Sequence, residues 1–149
     1  MDNSSCKLVG HWDIVVHDKD GNVKFTDSGK NVVTTNGKEQ LAAYLTSAAA
    51  SATANPFIYI AIGTGATTES AADTGMAVEL TRKTGTASYV SNAIYQVTTT
   101  FTSQTGAVIE YGLWNASAAG VLFSRSVRAA AVNITDSDTL TAKTRVTLS

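Results

Sequence analysis

The chain has 149 residues, a length that suits a single domain spanning residues 1–149 with one hydrophobic core. Its 11 Lys and Arg residues nearly balance its 12 Asp and Glu residues, and the absence of a basic block argues against a nucleic-acid surface. The longest apolar run, residues 57–62, is too short to cross a membrane. The single cysteine, Cys6, excludes an intrachain disulfide and a cysteine-based zinc site.

The charge content is low, since charged residues make up 15% of the chain, against about 25% in an ordinary soluble domain. Thr, Ser, Asn and Ala must therefore supply much of the polar surface. Such a surface is easily desolvated, because few of its groups are strongly hydrated. Two interpretations remain open on composition alone: a surface that becomes an interface, or a Thr-rich β protein with an inert surface.

The N-terminal region predicts an arm over residues 1–9 followed by a β-hairpin. Trp12, Ile14 and Val16 alternate with polar neighbours, as expected of a half-buried strand. A turn with an Asp-Gly corner follows at residues 19–22, and residues 23–33 predict the returning strand. The N-terminus has no cationic segment followed by an apolar run, so we expect no signal peptide and folding in a reducing cytoplasm.

A single helix is predicted at about residues 37–50. Asn36 is the expected N-cap, and Glu39 lies three residues later, as in a capping box. The residues expected on the buried face share helical spacing: Leu41, Tyr44, Leu45 and Ala48. Pro56 ends the loop that follows, and residues 57–62 predict a buried strand.

The remaining segments predict further strands. Residues 63–75 form a small, polar, glycine-containing loop, and residues 76–90 resume strand-like character. Alternation over residues 95–101 predicts a strand, and a turn at 104–106 predicts that residues 107–115 pair with it.

The C-terminal part continues this pattern. Residues 121–127 predict another strand, and the last one places Leu140, Ala142, Thr144, Val146 and Leu148 on one face. Short strands at hairpin spacing with one helix predict a mainly β fold, an antiparallel β-sandwich or barrel.

Motifs for catalysis or cofactor binding are weak. His11 and His17 would lie about 20 Å apart on one strand, too far to share a metal. Gly63-Thr64-Gly65 follows a strand, but Thr68 occupies the third glycine position of a dinucleotide loop. Asp73-Thr74-Gly75 is the aspartic protease triplet, yet it follows TTESAA and not an apolar strand, so we interpret it as a loop. We expect no enzyme activity, no cofactor and no metal, with a hydrolase using Asp73 as an alternative.

Two pairs of turn carboxylates leave a weak ion site open. Asp18 and Asp20 precede Gly21, but the glycine and glutamate positions of an EF-hand loop are not matched, so a β-turn is the preferred interpretation. Asp136 and Asp138 are also predicted to lie in a turn.

Residues 110–125, EYGLWNASAAGVLFSR, predict a hairpin built for packing. Alternation places Glu110, Gly112 and Trp114 on one face, and the turn places Arg125 roughly opposite Glu110, where the two could pair. The glycine between a carboxylate and an indole predicts a notch that admits a large neighbour, either Trp12 or a subunit contact.

Two segments resemble proteins of tailed-bacteriophage virions. Residues 59–82 resemble a pattern with an apolar strand, a G-T-G corner, a Thr/Ala/Asp loop, then a Glu and an Arg. Residues 95–127 resemble its usual companion, an aromatic–Thr–Phe strand, a turn and an E-x-G-L-[FW]-[ND] hairpin ending in an Arg. The opening residues 10–25 and 31–45 also look like the start of such proteins, so the resemblance extends over most of the chain.

The resemblance implies a non-enzymatic structural protein of the virion, made in the host bacterial cytoplasm. The function expected first is that of a capsid decoration (cement) protein that stabilises the assembled head; the alternative is a neck, tail-collar or fibre-attachment component. The expected partners are the major capsid protein or the neck and tail proteins, and further copies of the chain, with a trimer favoured. The residues predicted for the interface are Trp12, Tyr59, Tyr95, Glu110, Tyr111, Gly112, Trp114 and Arg125.

Overall fold

The computed structural model describes residues 6–45 and 55–149, which form nine β-strands and one helix. The elements in chain order are β1 (Leu8–His17), β2 (Val23–Val33), α1 (Thr35–Tyr44), β3 (Tyr59–Gly63), β4 (Glu79–Thr84), β5 (Thr86–Tyr89), β6 (Ile94–Thr102), β7 (Gly106–Trp114), β8 (Leu122–Ile134) and β9 (Thr139–Leu148). The mainly antiparallel β fold with one short helix is therefore confirmed.

The strands form one sheet in the order β4-β3-β7-β8-β2-β1-β9-β6-β5, and every neighbouring pair is antiparallel. The sheet curls into a nearly closed barrel. Strand β2 pairs with β1 along most of its length and with β8 at Val32 and Val33, so it joins the two halves of the sheet. At the opposite side Gly85 alone separates β4 from β5, which belong to different halves.

The first hairpin is confirmed, and so is its turn. Strand β1 pairs with β2 from Gly10 to His17, and Gly21 adopts a φ of +83°, the left-handed conformation that an Asp-Gly corner uses. Strand β1 begins at Leu8, inside the predicted arm 1–9, because the backbone of Lys7 already exchanges hydrogen bonds with that of Ser149. Residues 1–5 of the predicted arm lie outside the described residues.

The predicted pairing of residues 107–115 with residues 95–101 is wrong. Strand β6 pairs with β5 and β9, whereas β7 pairs with β3 and β8 in the other half of the sheet. Val97 and Phe101 of β6 and Val108 and Tyr111 of β7 all belong to one buried apolar cluster. The turn at residues 103–105 lies at the surface and connects strands from the two halves of the sheet, so the apolar sides of both strands are buried in one core.

The helix differs from its prediction at both ends. Its N-cap is Thr34 and not Asn36, because the buried Thr34 hydroxyl accepts from the Gly37 N–H at 3.0 Å and also donates to the Leu122 carbonyl on β8. The helix ends at Tyr44, which leaves Leu45 84% exposed and not on the buried face. Residues 46–50, including Ala48, lie outside the described residues.

Alternation along the strands builds the core as the sequence predicts. Trp12, Ile14 and Val16 on β1 are buried, and on β9 the residues Leu140, Ala142, Thr144 and Val146 are buried while those between them remain partly exposed. Leu148, at the end of the same face, is 39% exposed.

Candidate interaction site

Glu110 and Arg125 form a buried ion pair between two neighbouring strands. Glu110 lies on β7 and Arg125 on β8, and Arg125 Nε donates to Glu110 Oε1 at 2.6 Å. The exposed fractions of the two side chains are 0% and 2%. The predicted ion pair is present, but Arg125 lies opposite Gly112 in the register, and its side chain reaches diagonally to Glu110. Because both side chains are buried, removing either one would leave the other charge buried without a partner.

The same two side chains hold loop 64–78 against the barrel. Arg125 donates to the Thr67 carbonyl and to Asp73 Oδ2, both at 2.8 Å. Glu110 accepts the backbone N–H groups of Ala77 at 2.6 Å and of Val78 at 3.2 Å. One salt-bridge network on the barrel therefore binds the loop at several positions. We call this network, formed by Glu110, Arg125 and Asp73, the loop clamp.

The loop is also attached to itself and to the helix. The Thr64 N–H donates to the Val78 carbonyl at 2.9 Å and closes the base of the loop. Further along, the Thr35 N–H at the start of α1 donates to the Ala71 carbonyl at 2.8 Å. The loop thus has fixed backbone positions along its whole course, although it has no regular secondary structure.

Desolvation lowers the pKa of the Arg125 guanidinium, but the hydrogen bonds to Asp73 and Glu110 outweigh it, so the pKa lies above its usual value. Arg125 stays charged at any pH at which the protein folds. Four hydrogen bonds from its guanidinium go to Glu110, Asp73 and the carbonyls of Thr67 and Thr68, so the group is engaged mainly within the chain.

Gly112 lies beneath the loop, and its neighbour is not Trp12 as the sequence suggested. A Cβ added at Gly112 would lie 2.9 Å from Met76 Sδ, 2.9 Å from Trp114 Nε1 and 3.2 Å from Leu122 Cδ1. Trp12 lies on the other face of the sheet, in the main core with Tyr111. The predicted notch is therefore present, and a side chain of the loop fills it.

Arg82 covers Trp114 on the outer side of this cluster. Its guanidinium carbon lies 3.7 Å from the centre of a Trp114 ring, in a cation–π geometry. Arg82 also pairs with Glu79 at 2.6 Å and donates to the carbonyls of Ala116 and Ala119. The turn between β7 and β8 is thereby attached to β4.

The structure separates the aromatic residues predicted for an interface. Trp12 and Tyr111 are fully buried in the protomer, with ring centres 5.8 Å apart, and Trp114 is 5% exposed. Because they are buried within the protomer, these three residues cannot serve as surface anchors. The sequence could not show this, since alternation places apolar residues in a core as readily as in an interface. Tyr59 and Tyr95 are half-buried, and the Tyr95 hydroxyl donates to the Phe57 carbonyl.

Sequence reasoning missed the role of Asp73, Thr67 and Met76, which complete the clamp and the notch. Their signal in the sequence is slight, since all three lie in a loop without periodicity. Asp73 does lie in a loop, as predicted, where its carboxylate pairs with Arg125 and accepts from the Ser70 N–H at 2.8 Å. The aspartic protease triplet therefore serves here as a loop anchor.

The carboxylates considered for an ion site have partners within the chain. Asp18 accepts the N–H groups of Asp20 and Asn22, both at 2.9 Å, as in a β-turn. Asp138 accepts from Lys24 Nζ at 2.7 Å and from the Thr135 N–H at 2.8 Å. Within residues 6–45 and 55–149 there is no cluster of three or more His, Cys, Asp or Glu side chains suited to a metal.

Asp138 gives the stability a dependence on pH. The hydrogen bond from Lys24, followed by that from the Thr135 N–H, lowers the pKa of Asp138 below its usual 3.8. A lowered pKa in the folded state contributes stability above the unfolded value, which is lost as pH falls through the folded value. We expect Asp138→Asn to flatten the decline of the unfolding free energy below about pH 5, measured by urea denaturation across a pH series. Lys24→Met should have a smaller effect in the same direction, because the hydrogen bonds from Thr135 remain. An unchanged slope in both variants would contradict the assignment.

An apolar cavity of about 230 Å³ lies between α1 and the barrel. Its walls are Leu8, Leu41, Tyr44, Pro56, Phe57, Tyr95, Leu113, Phe123, Val146 and Leu148. The two hydroxyls in this wall are engaged, as Tyr44 donates to the Asn55 carbonyl and Tyr95 to that of Phe57. The cavity thus has apolar walls and offers no reactive group to a ligand.

Fold and site together define an antiparallel β-barrel-like protein that attaches loop 64–78 to its outer side through hydrogen bonds and ion pairs. Comparison with family models, with curated proteins and with solved structures finds no match. Among the described residues, no helix has the length and apolar character that crossing a membrane requires.

Proposed function

We propose that the protein is a non-enzymatic structural component of a tailed-bacteriophage virion, and specifically a capsid decoration (cement) protein. The observation that carries the proposal is the loop clamp. Glu110, Arg125 and Asp73 direct their polar atoms at each other and at loop backbone. Charged groups arranged in this way hold the loop in place through hydrogen bonds and ion pairs within the chain. This arrangement suits a protein that binds a partner through the loop better than it suits a catalyst.

A fixed loop favours tight binding to a large, regular surface. A loop that is already ordered loses little conformational entropy when it docks, so more of the contact energy appears as affinity. A subunit that binds the assembled shell better than separate capsid proteins stabilises the shell by mass action. Loop 64–78 presents small and polar exposed residues, including Ala66 and Thr74, that a neighbouring protein can cover at small desolvation cost.

The charges of the described surface also suit a protein partner. All four arginines pair with a carboxylate of the same chain: Arg82 with Glu79, Arg125 with Glu110 and Asp73, Arg128 with Asp27, and Arg145 with Asp13. Nucleic-acid binding depends on cations that are free to meet phosphates. We therefore propose as partners the major capsid protein and further copies of this chain, with the virion as the location.

The test compares particles that lack the protein with particles that carry it, under heating and in low salt. We expect particles with the wild-type protein to resist rupture, and Thr74→Lys in the loop to abolish binding. Thr102→Lys, an exposed Thr-to-Lys change on β6, is the matched control and should bind normally. Equal resistance with and without the protein would exclude the cement role. A few copies at one vertex in cryo-EM images would favour the neck or tail-collar alternative.

A further inference from the structure

The two end strands of the sheet differ in how their outer edges are protected. An unpaired strand edge tends to pair with another chain unless charges, proline, a bulge or a cover prevents it. Strand β4 carries Glu79, Arg82 and Lys83. Strand β5 reads Thr-Ala-Ser-Tyr, with no charge and no proline, and among the described residues its shortness is the only such protection.

The hydrogen bonds identify which groups of β5 point outward. Val90 N–H donates to the Ile94 carbonyl at 3.0 Å, and bonded pairs alternate along an antiparallel ladder. Ser88 and Thr86 therefore bond to β6, whereas Ala87 and Tyr89 direct their N–H and C=O groups away from it. The Gly85 N–H agrees with this alternation, because it points away from β6 and donates to the Ile58 carbonyl.

These outward groups have no partner among the residues that the structure describes, and the side chains around them are uncovered. All four residues of β5 are exposed; Tyr89 is 76% exposed and the adjacent Val90 is 49% exposed. An aromatic ring left so open beside a free backbone edge is typical of an interaction surface. The free edge thus consists of Ala87 and Tyr89, and Ile58 marks where it begins.

We propose that the β5 edge binds the β5 edge of a second copy of this chain, antiparallel and about a two-fold axis at Ser88. In this register Ala87 faces Tyr89 of the other copy, twice, and both members of each pair have outward hydrogen-bonding groups. Cross-strand partners must lie on the same face of a sheet, and Ala87 and Tyr89 do so. The large ring of Tyr89 then packs across the small side chain of Ala87.

A second copy fits this edge better than a different protein. The strand and the neighbouring positions of β6, Gln96 and Thr98, carry no charge that would select a partner of opposite sign or repel an identical strand. Pairing about a two-fold axis also satisfies the same donors and acceptors on both copies at once. The resulting dimer would have one continuous sheet running through both barrels.

The test is the mass of the protein by sedimentation equilibrium over a wide concentration range. We expect a wild-type dimer, and an at least tenfold higher dissociation constant for Ala87→Pro, which removes an outward N–H without breaking the ladder to β6. Tyr89→Lys should also raise the dissociation constant, because it places a charge where the Tyr89 ring of each copy would pack. Leu80→Lys, at an exposed apolar residue of the protected edge strand β4, is the matched control and should leave the dimer intact.

Circular dichroism checks that each variant folds. If Ala87→Pro does not fold, Tyr89→Lys alone still tests the proposal. A monomer at all concentrations, a trimer, or a dimer that neither variant weakens would overturn the inference. None of these outcomes bears on the cement role, which particle rupture decides separately. In the wild-type dimer, hydrogen exchange at the amides of Ala87 and Tyr89 should slow as the concentration rises.

Discussion

Replacing Arg125 with Ala should lower the free energy of unfolding by about 3–5 kcal/mol. The substitution leaves Glu110, with an exposed fraction of 0%, as a buried carboxylate without its cation. It also removes the donors to Asp73 and to the Thr67 carbonyl, so the loop loses attachments at the same time. Urea denaturation followed by tryptophan fluorescence measures the loss, because Trp114 lies on the same face of β7 as Glu110.

Arg145→Ala is the matched control for this prediction. Arg145 also pairs with an aspartate, Asp13, but the exposed fractions of the two side chains are 41% and 30%. An ion pair in contact with water is worth at most about 1 kcal/mol, since both charges remain solvated when separated. If Arg125→Ala and Arg145→Ala lower the free energy of unfolding by similar amounts, burial does not determine how much the Arg125 ion pair contributes to stability. The double variant Glu110→Leu/Arg125→Met should recover part of this loss, because no fully buried charge remains unpaired, but not the part due to the lost attachments of the loop.

Replacing Gly65 with Ala should detach the loop and cost about 2–4 kcal/mol. The added Cβ would lie 2.6 Å from Glu110 Oε2, 2.7 Å from the Val78 nitrogen and 2.5 Å from the Ala77 Cβ. None of these atoms is free to move, since the Glu110 carboxylate is held by Arg125 and by the backbone of the loop itself. We expect the amides of Ala77 and Val78 to exchange hydrogen much faster in this variant.

Gly75→Ala supplies the control within the same loop. A Cβ at Gly75 meets nothing within 4 Å. Alanine there should change stability by less than about 1 kcal/mol, and in the favourable direction, because it restricts the unfolded chain. If Gly65→Ala and Gly75→Ala behave alike, close packing of the loop on Glu110 does not stabilise the protein. Both variants can be compared by the same urea titration.

Local patterns in the sequence predicted most of the fold. Alternation located the buried faces of β1 and β9, and the Asp-Gly corner located the turn between β1 and β2. These features depend on residues that are neighbours in one strand or turn, so the local sequence pattern is enough to predict them. The Glu110–Arg125 pair was predictable for the same reason, since the two residues lie on adjacent strands joined by one turn.

Features that depend on distant segments were not predictable in this way. Strand β7 pairs with β3 and β8, and not with the preceding strand β6, because the turn after β6 leads to the other half of the sheet. Thr34 caps the helix through a contact with the Leu122 carbonyl on β8, which no local motif specifies. The filling of the Gly112 notch by Met76 depends in the same way on how the loop folds back.

The sequence by itself thus determined the secondary-structure class, the inward faces of the strands and one ion pair, because side-chain period and turn chemistry are local. The tertiary structure alone decided the order of strands in the barrel, the burial of Trp12 and Tyr111, and the attachment of loop 64–78 through Asp73. It also shows that the outward backbone groups of β5 have no partner among the described residues. These properties arise from burial of apolar area and from pairing of charges between segments far apart in the chain, and alternation cannot distinguish a residue buried in the core from one buried in an interface.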